Sequence, residues 1–156
     1  MLGFIDDRQS LQALKRGMLC SNTRTAYADN TDDLFVRGIF RIEDICRDIE
    51  QRRIDLGKTS GFERTYARVV RLYFGGMVRH LQAISKVLNP GAVCGYVVGD
   101  QASFLRVHIP TGRILMDLAE RVGFDPIRID LFRTRPSTVT GEDLREEVVL
   151  FRWKGR

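Results

Sequence analysis

The last third of the chain constrains its fold most. Val93–Val98 is an apolar run ending in Gly99-Asp100. Thr111–Val122 carries helical periodicity and is closed by Gly123, and Ile127–Phe132 and Val148–Trp153 read as two further strands. A strand, a loop, a helix and two strands in that order is how a doubly wound α/β sheet closes. Nothing upstream looks like how one opens. No glycine-rich turn joins a strand to a helix near the N-terminus, and no acidic ribose-binding position stands ~20 residues beyond one. The expected fold class is therefore α/β, in the form of the closing half of a Rossmann-like domain.

The 156 residues suffice for one domain and are too few for two of ordinary size. Hydrophobic content of 44% with 29% charged residues is globular in character. No run of ~18 apolar residues exists, so neither a membrane span nor a signal peptide is expected. Cys20, Cys46 and Cys94 are odd in number, far apart and never spaced C-x-x-C. They read as reduced thiols of a cytoplasmic protein and not as a zinc site. A net charge of +5 favours a polyanionic partner.

Three helices are expected before the closing strands. Asp6-Asp7 ahead of Leu11, Leu14 and Met18 marks a short amphipathic helix with acidic residues at its positive end. A polar, hydroxyl-rich segment follows, Cys20–Tyr27, and Asp29–Asp33 continues it as loop. Ile42, Ile45, Cys46 and Ile49 then form one apolar stripe, and Gly57 is placed to stop that helix. Ser60 and Glu63 fit a capping box that opens a third helix, Gly61–Leu88, ended by Asn89-Pro90-Gly91. Gly75-Gly76 in its middle costs roughly 1 kcal/mol per residue relative to Ala, so a close backbone approach is expected there. Arg64, Arg68 and Arg71 line its other side as a basic stripe, either a solvated face or a nucleic-acid contact.

Several patterns fail on their context. Gly57-Lys58-Thr59 resembles the tail of a phosphate loop, but Arg52 stands where a glycine is needed and a helix stands where a strand is needed. His80 and His108 have no His or Cys at ligand spacing, so no metal site is expected. Two places are stronger. Gly99-Asp100-Gln101 sits at the carboxyl end of a strand, where open α/β sheets bind ligands, although Asp100 also reads as a capping residue. Phe132-Arg133-Thr134-Arg135-Pro136, read as the loop between the last two strands, offers an aromatic and two arginines that suit a base and a phosphate, or a plain basic turn.

Lys58–Arg64, Leu72-Tyr73-Phe74-Gly75-Gly76-Met77 leading into His80-Leu81, Val87–Gly91, Tyr96–Gln101 and the final Arg145-Glu146-Glu147-Val148 occur in a fixed order. In that order they resemble the C-terminal part of bacterial S-adenosylmethionine-dependent DNA amino-methyltransferases, and the resemblance covers essentially the whole chain. It implies transfer of a methyl group from S-adenosylmethionine to the exocyclic nitrogen of cytosine or adenine, in a restriction–modification or epigenetic setting. It also implies a sheet in which a helix joins the fifth and sixth strands and an antiparallel seventh strand slots between them. The family needs a glycine-rich cofactor loop and a four-residue motif containing Pro-Pro that holds the flipped base. Pro90, Pro110, Pro126 and Pro136 are all isolated, so that motif is absent.

The expectation that follows is a single partial methyltransferase domain over 1–156, with a helical DNA-facing region at 1–58 and the long helix plus closing strands at 59–156. S-adenosylmethionine would serve the complete enzyme, with none bound by this chain alone and no catalytic residue carried here. By the resemblance, Arg16, Ser21, Asn22 and Arg24 face DNA, joined by Arg64 and Arg68 of the basic stripe, while Asp100, Phe132, Arg133 and Arg135 border the base pocket. DNA is the expected partner, together with a missing N-terminal half or a second copy of the chain. The reading from a different class is a non-catalytic basic nucleic-acid-binding module or remnant.

Overall fold

The computed structural model describes residues 5, 7–136, 141 and 143–155. Helix α1, Arg8–Gly17, is capped by Asp7, whose carboxylate accepts from the Ser10 amide at 2.7 Å; Asp6 lies outside the described residues. Two short 3-10 turns follow, Thr23–Thr25 and Asp32–Val36, where a loop was expected. Helix α2, Phe40–Asp55, buries Ile42, Ile45, Cys46 and Ile49, the expected stripe, and Gly57 ends it at φ +61°.

The expected single helix from Gly61 is two. Helix α3, Gly61–Arg64, opens on the expected capping box between Ser60 and Glu63. Helix α4, Tyr66–Ile84, begins after a joint at Thr65, whose hydroxyl donates to the Phe62 carbonyl at 2.7 Å. A hydroxyl bonding back to its own helix competes with the main-chain ladder, which accounts for the break.

Helix α4 is the centre of the structure. Val69, Val70, Leu72, Phe74, Met77 and Leu81 are all buried, packed by α2, helix α5 (Thr111–Val122) and the Asp32–Val36 turn. Its buried face is covered largely by the N-terminal segment. Gly75 and Gly76 admit it. A Cβ on Gly75 would sit 1.8 Å from the Asp32 carbonyl oxygen, and one on Gly76 would meet Leu19 at 2.5 Å.

Strands β1, Val93–Gly99, β2, Phe124–Pro136, and β3, Asp143–Trp153, form one sheet in the order β1-β3-β2. Strand β3 runs antiparallel to both neighbours, so β1 and β2 point the same way, with α5 connecting them. The architecture is mixed α/β. Every strand pairing in the described sheet is antiparallel. Strand β2 also runs further than expected. Register shifts beside Ile127 and Phe132 let it bend and stay paired through Pro136, so Phe132–Arg135 is strand and not loop.

One side of the sheet is packed. Tyr96 stacks on Phe151 at 5.3 Å, and Phe124 meets Phe151 and Trp153. Among the described residues no strand pairs with the outer edge of β1. The Asp100 amide bonds the Arg145 carbonyl and the Trp153 amide bonds the Ala92 carbonyl. Bonded residues alternate along an antiparallel ladder, so Val93, Gly95, Val97 and Gly99 aim their amides and carbonyls away from β3. Val93 is 56% and Val97 70% exposed.

Two outcomes are expected. Gly75→Ala loses about 3 kcal/mol in urea unfolding, since the clash is with backbone and the ~1 kcal/mol gain in helix propensity cannot offset it, while Gly17→Ala does not destabilise. The open β1 edge makes the chain self-associate at tens of micromolar by light scattering, and Val97→Lys, a charge of the kind that blunts natural edges, suppresses it.

Candidate functional site

The chain leaves β1 at Gly99 and enters α5 at Thr111. Between them the Gln101 and Ile109 main chains exchange two hydrogen bonds, of 3.2 and 2.7 Å, pinching residues 102–108 into an excursion. Asp100 lies just behind the pinch, 3% exposed. Its carboxylate accepts from the Thr111 amide at 3.1 Å and meets His108 Nε2 at 2.9 Å. A carboxylate on an unpaired amide at a helix start satisfies an orphan donor and opposes the helix dipole. Of the two readings of Asp100, the geometry supplies the cap. His108 is its half-exposed partner.

Beside this lies a cleft of about 420 Å³. Helix α4 contributes Val69, Tyr73 and Phe74, the end of β1 contributes Val98 and Gly99, and the excursion contributes Gln101, Ser103 and Phe104. Ser21 and Asn22 close it from the N-terminal side. Their segment is held by Thr25, whose hydroxyl oxygen accepts from the Ser21 and Asn22 amides at 3.3 Å each, and Asn22 Oδ1 accepts from the Arg24 amide at 2.9 Å. Beneath them Cys20 is fully buried, which pushes its thiol above the ordinary range. Aromatic rings, an apolar floor and two carboxamides suit a planar polar ring.

The structure brings together only part of the expected site. Ser21 and Asn22 line the cleft. Asp100 lies behind it, and Phe132, Arg133 and Arg135 stand on β2, outside its lining. Phe132 is 64% exposed. Arg133 and Arg135 both reach Glu146 on β3, at 2.6 and 3.2 Å, and the Arg133 guanidinium holds the Glu146 carboxyl below its usual range. Arg16 pairs with Asp29 at 2.8 Å and lies over the Tyr27 ring. Arg68 donates to the carbonyls of Tyr27, Ala28 and Asn30 at 3.1 to 3.2 Å. Arg71 binds Glu43 at 2.6 Å and lowers its pKa. Of the six arginines expected to contact DNA or the base pocket, Arg24 and Arg64 alone have no side-chain hydrogen bond or ion pair among the described residues. The basic stripe is largely internal scaffolding.

Sequence reasoning missed Tyr66 and Phe104, whose rings stack with centroids 4.7 Å apart. Phe104 also opens a turn closed by the Val107 amide on its carbonyl at 3.1 Å. Both central residues, Leu105 at φ +54° and Arg106 at φ +65°, are left-handed, and among the described residues they are the only ones other than glycine that are. Such turns ordinarily use Asn-Gly. Leu-Arg carries no such signature, and the left-handed conformation costs roughly 1–2 kcal/mol per residue. His80 meets the Tyr96 hydroxyl at 2.8 Å, and burial pushes that hydroxyl up to about 12.

No group of three or more His, Cys, Asp or Glu among the described residues is placed to hold a metal ion, and no helix is long and apolar enough to cross a membrane. No family model, curated protein or solved structure matches the chain.

If Asp100 is the cap, Asp100→Ala lowers stability by about 2 kcal/mol by orphaning a buried amide. Asp100→Asn, which keeps an acceptor, costs less than half as much. Urea unfolding of the two variants checks the order.

Proposed function

We propose that this chain forms the closing half of an S-adenosylmethionine-dependent DNA amino-methyltransferase domain and supplies one wall of its target-base pocket. The observation that carries the reading is the strand order. Strand β3 lies antiparallel between β1 and β2, and α5 joins those two. This is the arrangement that the sequence resemblance implies for the last three strands, and the cleft lies at the carboxyl end of the first of them, where α/β sheets bind ligands.

The residues present do not fit the cofactor. No described strand passes through a glycine-rich turn into a helix; β1 passes instead into the pinched excursion. The cofactor loop and the Pro-Pro motif would therefore be carried by polypeptide outside these 156 residues, and no catalytic step is assigned to this chain. Its part is to hold a base against Tyr73 and Phe74, with Asn22 and Gln101 offering amide groups to the base edge.

The test is complementation. Residues 1–156 alone transfer no label from S-adenosylmethionine to DNA, and adding a polypeptide that bears the glycine loop and the Pro-Pro motif produces labelled DNA. A mixture that assembles and stays inactive would count against the reading.

The alternative, a basic binding module, differs in its salt dependence. With only Arg24 and Arg64 of those six arginines unengaged among the described residues, about two phosphate contacts are expected from the set, and log K falls against log salt with a slope near −1.8. A module using all six arginines gives a slope near −5. Fluorescence anisotropy on a duplex between ~50 and ~200 mM salt distinguishes them.

A further inference from the structure

The excursion between Gln101 and Ile109 is built unlike the rest of the molecule. Its base is closed by two main-chain hydrogen bonds, and Ala102 and Ile109 are each 3% exposed. Its tip is the Phe104–Val107 turn with two consecutive left-handed residues that are not glycine. Residues held so persist only where surrounding contacts over-determine them. Arg106 is exposed, so its side chain is not what holds the turn. What does is the packing of Phe104 and Val107 on the core, with the Phe104 ring stacked on Tyr66, the first residue of α4. Phe104 is at the same time a wall of the cleft.

We propose that the Phe104–Val107 turn is a gate on the cleft, latched by the Tyr66–Phe104 stack and biased toward opening by the backbone strain at Leu105 and Arg106. The hinge follows from the bonding. The Gln101–Ile109 bridge, the Asp100 cap behind it and the His108 contact with Asp100 stay fixed, and the Phe104–Val107 turn beyond them unwinds. Opening gives up the aromatic stack, one main-chain hydrogen bond and the partly buried packing of Phe104 and Val107 on the core, and the relief of two unfavourable conformations offsets part of that loss. A planar ring entering the cleft competes with Tyr66 for the face of Phe104, and aromatic pairs of this geometry interchange at little cost. The gate as a regulator of base entry rests on the base-pocket reading; the gate as a moving element does not.

Amide hydrogen exchange followed residue by residue is the test, because the Val107 amide reports the turn and the Ile109 amide reports the bridge. In the unaltered chain Val107 exchanges faster than Ile109, the order that a local opening requires. Arg106→Gly, which removes the left-handed penalty, slows Val107 about fivefold and leaves Ile109 unchanged. Tyr66→Leu, which removes the latch, speeds Val107 by at least the same factor. Equal exchange at the two amides, or an Arg106→Gly variant in which Val107 is no slower, overturns the gate. Deoxycytidine and deoxyadenosine at millimolar concentration then probe the cleft. If the variants behave as expected and neither nucleoside alters Val107 exchange, the base-pocket reading fails while the gate stands.

Discussion

The contact on which the rest of the structure depends is the passage of the N-terminal segment over Gly75 and Gly76. Helix α4 is apolar along most of its length and must be covered on several sides, yet a segment carrying its own polar backbone can cover it only at close range. Two consecutive glycines allow that range, with the Asp32 carbonyl where a Cβ would stand. The polar groups are then satisfied from α4 itself. Arg79 binds the nearly buried Asp32 carboxylate at 2.8 and 3.0 Å, and Arg68 caps three carbonyls of the preceding residues. Removing one partner of such a pair leaves a desolvated charge, which costs far more than the pair itself contributes. This clamp also sets the position of Ser21 and Asn22, and thereby one side of the cleft.

Much of this was legible in the sequence wherever a local rule and the tertiary environment agree. The α2 stripe, the Ser60–Glu63 capping box, the closing strands and the close approach at Gly75-Gly76 all follow from spacing and residue type. What was not legible depends on partners distant in sequence. Thr65 breaks a helix through a bond that periodicity does not report. Phe132–Arg135 looks like a basic loop because its arginines are read without Glu146, which lies across β3. The left-handed turn at Leu105-Arg106 is invisible for the opposite reason: its residue types argue against it, and the packing of Phe104 and Val107 on the core imposes it.

The same distinction governs charge. A net charge of +5 and an arginine stripe suggest a surface for a polyanion, but composition counts charges and not engagements. Arg68 and Arg71 lie on α4 where its neighbours need donors, and Arg133 and Arg135 converge on one glutamate. An arginine bound to protein acceptors must release them before it can bind a phosphate, so its contribution to affinity is a difference between two similar terms. Of the six arginines expected to face DNA or the base pocket, those left without a side-chain partner among the described residues are Arg24, beside the cleft-lining segment, and Arg64, at the end of α3.

Strand β1 links the two open features of the molecule. Its carboxyl end, Val97 to Gly99, lines the cleft, and the same residues form part of the edge that carries unpaired amides and carbonyls. A strand added to that edge would lie directly beside the cleft and extend its lining with its own side chains, because side chains alternate across a sheet and every second one would face α4. The cleft and the edge are thus one continuous surface. A strand bonded to the main-chain groups of Val97 and Gly99 would therefore alter the lining of the cleft as well as close the edge.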